Sequence, residues 1–412
     1  MLVMTKQRVV MVSQAVPYDA IPHAGGRYIR TLHRVLSERA EVTLISPNTP
    51  ATRLAVDQSG APEGAILVGP PPTANLVGKA ARWLAINWES WMRRSDPGVV
   101  SLAMAIGLFL DPRARTALRQ ADVVDLQWME AIQLAPFVRA LNRRARFVGT
   151  FHDVQSQSFA REAAPNPSQQ RYWRRATRRA LAAEGRALRR LDVGLTFSDK
   201  DLALLGHHPK VRVVLPPLQD EARDVERRPE GRSVLFVSYL SRYENDNAAL
   251  WLLHDIWPRV AMMLPDARLR LAGSGASPEL IAEATGIPSV ELLGYVPDLD
   301  AEYARATAAI VPLRHGAGVK FKTVEGLLHG VPTITTPVGS EGIDGPDLFA
   351  AVSASATELA DAIVAVLRDP DGQTERTAAA KAWAEVKYGH QQFVDAVVSA
   401  YSLASTTSIG SS

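Results

Sequence analysis

The strongest constraint on the fold is an alternation of short apolar runs with amphipathic segments, which occurs twice along the 412 residues. At the start of the first series, the pattern predicts a buried strand at 8–13, a helix at 26–38 and a second strand at 41–46. Alternating strands and helices favour a parallel sheet that is covered on both faces. The other strands of this series are predicted at 122–127, 146–151, 193–197 and 211–215.

A charged, proline-flanked segment poor in apolar residues, 216–231, predicts a linker, and the second series follows it. The architecture expected is two doubly wound domains with ligand-binding edges at the carboxyl ends of their strands. We expect domains at 1–216 and 217–385, then a helix from 386 that packs back on the first domain and a disordered tail ending at 412. The strands are predicted at 233–238, 267–272, 290–293, 308–311 and 332–335, and the helices at 247–263, 277–284, 299–306, 319–329 and 357–367.

Composition excludes several classes of protein. The chain has no cysteine, which excludes disulfides, thiolate metal sites and a cysteine nucleophile. The longest apolar run, 99–110, is shorter than the roughly 20 residues that a transmembrane helix needs. The N-terminus does not resemble a signal peptide. We therefore expect a cytoplasmic protein.

Charge is distributed unevenly between the two halves. Residues 1–217 hold 30 Lys and Arg against 17 Asp and Glu, while 218–412 hold 16 against 26. The basic half could attract phosphates, anionic lipid or nucleic acid, or the two halves could attract each other.

Two segments of the basic half are candidates for peripheral contact with the inner face of a membrane. Residues 161–190 contain nine arginines and are predicted to form one helix with a basic face. That face could be solvated, or could meet lipid headgroups or a phosphorylated acceptor. Nucleic-acid binding is disfavoured because no recognition module accompanies it. Residues 76–94 are amphipathic and Trp-rich, which suits a membrane surface, a core or an acceptor pocket.

The segment 312–336 (PLRHGAGVKFKTVEGLLHGVPTITT) carries the chemistry. A predicted strand leads into a loop with Gly316 and Gly318, and a helix begins near Val319. The amides at such a helix start can hold an anion. Lys320 and Lys322 add positive charge, and a carboxylate at Glu325 could accept hydrogen bonds from ribose hydroxyls. The segment therefore predicts a site for a nucleoside diphosphate.

This segment resembles the donor-binding signature of GT-B glycosyltransferases of the retaining family 4 (group 1) type. The family's other features occur in order at 233–253, 269–275 and 292–306, and, more loosely, at 21–28 and 150–159. The resemblance implies a GT-B fold, in which two doubly wound Rossmann-like domains face a central cleft.

The resemblance also implies roles for individual residues. Glu325 matches the second glutamate of the family's E-x7-E signature and would contact the ribose, while Lys320 and Lys322 would meet the diphosphate. His152 matches a histidine that faces the donor sugar, and we count it with the two lysines as catalytic. The other residues implied to bind the donor are Gly25, Gly26, Arg242, Gly273, Tyr295, Val296, Gly316, Gly318 and Val319.

The sequence departs from the family at Ala317, which stands where the first glutamate of E-x7-E is usual, so the identity of the sugar is open. Simpler interpretations remain beside the functional ones. Lys322 and Glu325 could form a surface ion pair, and His152 could be a hydrogen-bonded histidine at a strand end. Asp298 and Asp300 match a metal-binding D-x-D, but Asp298 more plausibly caps a helix.

The function expected is transfer of a sugar from a nucleoside-diphosphate sugar to an acceptor hydroxyl, with retention and without metal or other cofactor. Bacterial glycan, glycolipid and specialised-metabolite acceptors stay open, as do the nucleotide base and the oligomeric state. The alternatives are an inverting transferase with His23 or Asp19 as base, a nucleotide-sugar epimerase, and a non-catalytic nucleotide-sugar-binding subunit.

Overall fold

The computed structural model describes residues 6–19, 21, 23–69, 80, 83, 87–88, 91–92, 102–163, 169–222, 225–316 and 318–403. The chain divides into two compact units. One contains Met1–Val214 and Val394–Ser412, and the other contains Leu215–Phe393. Most of the Trp-rich segment 76–94, Ala317 and the tail from residue 404 lie outside the described residues.

The first unit is built on a seven-stranded parallel sheet with the order β3-β2-β1-β4-β5-β6-β7. Its central strands are buried on both faces, as covered parallel strands are. The strands are β1 (Gln7–Val12), β2 (Ala40–Pro47), β3 (Ile66–Val68), β4 (Val123–Gln127), β5 (Arg146–Thr150), β6 (Val193–Thr196) and β7 (Val211–Val213).

Amphipathic helices cover this sheet. The first buries a stripe with Ile29, Leu32 and Leu36 at helical spacing. The final helix, His390–Tyr401, ends in this unit, where Arg146 Nε donates a hydrogen bond to the Ala400 carbonyl at 3.1 Å. Before the final helix, the α-helices of this unit are, in chain order, Ala24–Arg39, Pro50–Ala55, Leu102–Leu110, Pro112–Gln120, Trp128–Ile132, Ala135–Leu141, Gln155–Ala163, Gln170–Arg190 and Asp199–Leu204.

The second unit contains a six-stranded parallel sheet with the order β10-β9-β8-β11-β12-β13. Its strands are β8 (Ser233–Val237), β9 (Arg268–Ala272), β10 (Val290–Gly294), β11 (Ala308–Val311), β12 (Thr333–Thr335) and β13 (Ala351–Val352). Its α-helices are Tyr243–Trp251, Trp257–Met263, Pro278–Thr285, Leu299–Arg305, Phe321–Leu328, Ala356–Arg368 and Thr374–Lys387.

Each sheet reverses its strand order once. In the first unit the chain builds outward from β1 to β3 and then restarts on the other side at β4. In the second unit the same reversal lies between β8 and β11. Ligands of open α/β sheets bind outside the carboxyl ends of the strands at such a reversal. Each unit therefore has a crevice in which a site is expected.

The helix predicted at 247–263 is interrupted. An α-helix at Tyr243–Trp251 passes into a π-helical stretch, Leu252–Ile256, before a second α-helix begins at Trp257. The reason is Pro258, which has no N–H to donate and crowds the carbonyl four residues earlier. The wider π turn accommodates the proline without ending the helix.

The basic segment 161–190 is also not one helix. Gln155–Ala163 and Gln170–Arg190 are separate helices that pack on each other. The second buries Ala176, Ala180 and Ala187 and exposes most of its arginines. In the part of the chain that the structure describes, no helix is long and apolar enough to span a bilayer.

Candidate functional site

Lys322 lies across the strand-order reversal of the second unit. It belongs to the helix Phe321–Leu328 that follows β11, yet its Nζ donates hydrogen bonds to Ser238 Oγ beyond β8 and to Asn245 Oδ1, the latter at 2.7 Å. Phe236 lies beneath the ammonium, with 5.6 Å between Nζ and the ring centroid. One cation thus links the two strand ends between which a ligand is expected.

Burial, and after it the positive charges of Lys320 and Arg242, lower the pKa of Lys322 to about 7, while Glu244 and Glu325 act in the opposite direction. Lysine ordinarily titrates near 10.4. Near neutral pH this side chain is therefore divided between its charged and uncharged forms, and an anion placed beside it would favour the charged form.

The loop between β11 and this helix depends on two glycines. Gly316 (φ 110°) and Gly318 (φ 72°) adopt left-handed backbone conformations that side chains disfavour. Lys320 is buried at the start of the helix, where its Nζ donates to the Gly318 carbonyl and lies 3.9 Å from Glu341 Oε2. Lys320 therefore supports the loop as well as adding charge to it, and Val319 beside it is half-buried.

Glu325 lies in the second turn of the same helix and is 8% exposed. Because this carboxylate is buried and Lys322 is half-buried, a pair between them would not lie on the surface, although the charge of Glu325 does act on Lys322 by raising its pKa. The helix ends at His329, whose Nδ1 lies 2.7 Å from the Glu325 carbonyl oxygen. His329 Nε2 lies 2.8 Å from Asp300 Oδ1.

Arg242 is at the N-terminal end of the helix Tyr243–Trp251, and 59% of its side chain is exposed. It forms an ion pair with Glu244 and is close enough to Lys322 to lower the pKa of that lysine. The structure thus brings Arg242, Lys320 and Lys322 to one edge of the sheet, although Lys320 and Arg242 each have an acidic neighbour.

Gly273 holds the ends of β8, β9 and β10 together. A Cβ at this position (φ 151°) would lie 1.6 Å from the Ser238 carbonyl oxygen, so only glycine fits. Its amide donates to the Gly294 carbonyl at 2.7 Å, and the Ser238 amide donates to Ala272 at 2.8 Å. Gly273 therefore fixes the backbone at Ser238, one of the two hydrogen-bond partners of Lys322.

Tyr295 and Val296 follow β10 at the same edge. Tyr295 is 66% exposed, whereas Val296 packs against a small apolar cluster that includes Leu235 and Tyr303. Of the two, Tyr295 presents an exposed side chain, and Val296 anchors the loop.

The D-x-D aspartates have structural partners. Asp298 Oδ1 accepts a hydrogen bond from the Ala301 amide at 3.2 Å and caps the helix Leu299–Arg305. Asp300 meets His329. Within the described ranges, no three His, Asp or Glu side chains form a group that could hold a metal ion.

His152 lies just beyond β5 in the first unit and is hydrogen-bonded to two buried polar residues, Gln127 directly and Asp125 through Gln127. Its Nε2 is 2.9 Å from Gln127 Oε1, and Gln127 Nε2 donates to both oxygens of Asp125 at 2.8 and 2.9 Å. Burial lowers the pKa of His152 to about 3, helped by the positive form of His23, so the imidazole is neutral at physiological pH.

Aromatic rings fix the plane of His152. Trp128 stacks on it with 4.2 Å between ring centroids, and Tyr28 and Phe197 meet it edge-on. Trp128 has φ 65°, an outlier for so bulky a residue. Such strain persists only where the surroundings impose it, and it occurs preferentially at functional sites.

Gly25 and Gly26, the two glycines singled out in the first unit, allow close packing. A Cβ on Gly25 would lie 2.8 Å from Trp128 Cζ2 and 3.3 Å from His152 Nδ1, and one on Gly26 would overlap Ile21. Gly25 therefore belongs to the His152 group. Gly26 donates its amide to His23 Nδ1 at 3.0 Å, which caps the helix Ala24–Arg39.

Sequence reasoning missed the residues that hold the predicted ones in place. Ser238 and Asn245 bind Lys322, and Gln127, Asp125 and Trp128 surround His152. The polar residues Asp125 and Gln127 inside an otherwise apolar strand were the available signal, since buried polar side chains require partners.

Known proteins resemble this chain in sequence over limited segments. Residues 231–369 match the sequence model of the family described as Glycosyl transferases group 1. A 118-residue segment is 31% identical to an uncharacterized 44.6 kDa protein in the cps region of Klebsiella pneumoniae, covering 27% of this chain and 30% of that protein. A 186-residue segment is 28% identical to the phosphatidyl-myo-inositol mannosyltransferase of Mycobacterium leprae, covering 43% and 48%. The chain thus matches less than half the length of either curated relative.

The structural likeness extends over nearly the whole chain. HepE of Anabaena, in a crystal structure with UDP-glucose, superposes with a TM-score of 0.66 at 13% identity, covering 96% of this chain and 99% of HepE. At that identity the likeness concerns the fold. Together with the other structural neighbours, it confirms the predicted GT-B class.

Proposed function

The chain belongs to the group 1 glycosyltransferases and has the GT-B fold, and on that premise we propose that it transfers a sugar from a nucleoside-diphosphate sugar to an acceptor hydroxyl. The observation that supports this most directly is the placement of Lys322 between the ends of β8 and β11, with Arg242 and Lys320 within electrostatic reach. A diphosphate is the part of the donor that such a group of cations would hold.

The chemistry demands stabilisation of the diphosphate as it leaves. Preorganised positive charge in a partly desolvated site supplies that stabilisation at little reorganisation cost. We assign this role to Lys322 first, with Arg242 and Lys320 adding to the local field. We propose that Glu325, one turn further along the helix, accepts hydrogen bonds from the ribose. Tyr295 is then placed to contact the base.

We propose metal-independent transfer with retention of configuration. The two side chains that an inverting mechanism would use as a base have structural partners. His23 Nδ1 accepts the Gly26 amide, and Asp19 Oδ2 accepts the Ser59 hydroxyl at 3.1 Å. In a retaining reaction, an oxygen of the departing diphosphate can take the acceptor proton, and no protein base is required. HepE was crystallised with UDP-glucose, which makes uridine the first base to test.

Calorimetry of UDP, GDP, TDP and ADP binding to the full chain tests the donor site. For the preferred nucleotide we expect Lys322→Met to weaken binding about tenfold or more, since a hydrogen bond to a charged group contributes about 1.5–3 kcal/mol. Lys387→Met, which removes an exposed lysine of the same unit, is the control. Equal affinities of the two variants would contradict the placement of the diphosphate at Lys322.

Turnover assays separate transfer from the alternatives. Each nucleotide sugar is incubated with and without a panel of glycan and glycolipid acceptors, and the products are examined by NMR. A transferred sugar with the donor's anomeric configuration is the expected product. An inverted product would reject retention, and a new nucleotide sugar formed without acceptor would identify an epimerase.

We further propose that the first unit makes peripheral contact with anionic membrane surfaces. The helix Gln170–Arg190 exposes Arg174, Arg175 and Arg178, and Trp88 and Trp91 are more than half exposed. Exposed arginines and indoles suit a lipid headgroup layer. A lipid-linked acceptor is therefore the first class to test.

A further inference from the structure

The orientation of the Gln127 amide is fixed by its neighbours. Asp125 is fully buried, and both of its oxygens lie within 2.9 Å of Gln127 Nε2. Thr150 Oγ1 lies 3.1 Å from the same nitrogen. Burial raises the pKa of Asp125 to about 7, so at pH 8 this carboxyl is mostly ionised and only accepts hydrogen bonds. In that state the NH2 group of Gln127 faces Asp125 and Thr150. The amide oxygen is therefore turned toward His152.

That orientation determines the tautomer of His152. Gln127 Oε1 lies 2.9 Å from Nε2 and can only accept, so Nε2 carries the hydrogen. Because the ring is neutral, Nδ1 keeps a lone pair. Gly25 stands on the Nδ1 side, where a Cβ would lie 3.3 Å from that nitrogen, so any side chain at this position would cover Nδ1.

The position of this group in the fold points to a ligand. Gln127 ends β4 and His152 follows β5, and the helix that contains Gly25 follows β1. The reversal of strand order in this sheet lies between β1 and β4. The half-buried imidazole is therefore at the edge where doubly wound sheets bind ligands.

We infer that Asp125 and Gln127 are positioning residues that hold His152 as its Nε2–H tautomer, so that Nδ1 can accept a hydrogen bond from a sugar hydroxyl at this edge of the first sheet. The ligand in this statement rests on the proposed function, whereas the tautomer rests on the first unit alone. Trp128, strained and stacked on the ring, keeps the imidazole plane in place.

NMR of the full chain labelled with ¹⁵N-histidine tests the tautomer without any ligand. At pH 8 we expect Nε2 of His152 in the protonated range and Nδ1 in the unprotonated range, assigned by comparison with His152→Phe. In Gln127→Met, which offers neither donor nor acceptor, both nitrogens should move toward the average of a mixed tautomer population. Gln120→Met, an exposed glutamine of the same unit, should leave the spectrum unchanged.

Asp125→Asn tests the first step separately. An asparagine can donate as well as accept, so the Gln127 amide is free to turn over and the His152 signals should again shift toward a mixture. An Nδ1–H tautomer in the wild type, or an Nε2–H tautomer that persists in Gln127→Met, would overturn the inference. If the Nε2–H tautomer of His152 persists in Asp125→Asn, Asp125 is not one of the positioning residues.

Deoxy donors and deoxy acceptors test the contact with substrate. We expect one deoxy sugar to lose about tenfold or more in kcat/KM with the wild type and to lose less with Gln127→Met, because only part of the His152 population in that variant still presents Nδ1 as an acceptor. Full additivity for every deoxy substrate would overturn the substrate half. A wild type that turns over no nucleotide sugar would refute the proposed function and that half together, while the spectrum still decides the tautomer.

Discussion

At the scale of single residues, the surroundings of Lys322 suit the anionic ligand that we propose. Ser238 and Asn245 give its ammonium two acceptors, but neither carries a charge, so burial is only partly compensated. The pKa of Lys322, lowered to about 7, reflects that deficit together with the positive charges of Lys320 and Arg242. A structural ion pair would have the opposite effect, since an adjacent carboxylate raises the pKa of a lysine.

Binding of a nucleoside diphosphate should therefore be coupled to proton uptake. At pH 8 the free protein holds most of its Lys322 uncharged, and a bound diphosphate restores the ammonium by raising the pKa. The ligand itself contributes little, because a terminal phosphate has a second pKa of about 6. Calorimetry in buffers of different ionisation enthalpy should show uptake approaching one proton, and affinity should fall as the pH rises above about 7.

The same titration with Lys322→Met should show uptake near zero, and Lys387→Met should behave as the wild type. Proton release in the wild type, or equal uptake by the two variants, would show that Lys322 does not meet the phosphates.

Spacing along the sequence sufficed to predict which candidate residues share one loop and one helix. Gly316, Gly318, Lys322 and Glu325 are neighbours along the chain, so one loop and one helix bring them together. The contact between Lys322 and Asn245 joins positions 77 residues apart, and it depends on the β8–β11 pairing rather than on any local pattern.

At the scale of elements, variants of Asp298 can distinguish its role as a helix cap from a role as a metal ligand. Asp298→Ala should remove the hydrogen bond to the Ala301 amide and cost about 1 kcal/mol of stability. Asp298→Asn should retain nearly all of the wild-type stability, because asparagine caps a helix as well as aspartate does. Thermal unfolding measures both, and transfer activity in EDTA and in Mg²⁺ should be alike for the three proteins. If Asp298→Asn loses as much transfer activity as Asp298→Ala relative to the wild type, and the loss is seen only with Mg²⁺ present, Asp298 binds a metal.

Elements were predictable in proportion to their length and regularity. β1, β2 and β11 were predicted to within a residue or two, because each is a continuous apolar run. β3 and β13, with three and two residues, are too short for a periodic signal and exist through pairing with a neighbouring strand. The π turn before Pro258 is a tertiary compromise that helical periodicity does not show.

At the scale of the whole molecule, charge is divided between the two compact units. The first has 30 Lys and Arg against 18 Asp and Glu, and the second has 16 against 25. The proposed diphosphate site thus lies in the acidic unit, where positive charge must be concentrated locally to bind an anion. For the excess of arginine in the first unit, the partner that we propose is anionic lipid headgroups, whose charge is of opposite sign.

The full chain should therefore sediment with vesicles containing phosphatidylglycerol and much less with phosphatidylcholine alone. Each basic side chain near an anionic surface contributes about 1 kcal/mol, and about 1 M salt, which shortens the Debye length to about 3 Å, should release the protein. Replacing Arg174, Arg175 and Arg178 with glutamate should abolish binding. Making the same change at Arg228, Arg268 and Lys387 of the second unit alters the net charge equally and should leave binding in place. If both triple variants lose binding to the same extent, net charge rather than this helix is responsible. If the wild type binds both vesicles alike, or neither, the basic helix does not dock on lipid headgroups through its charge.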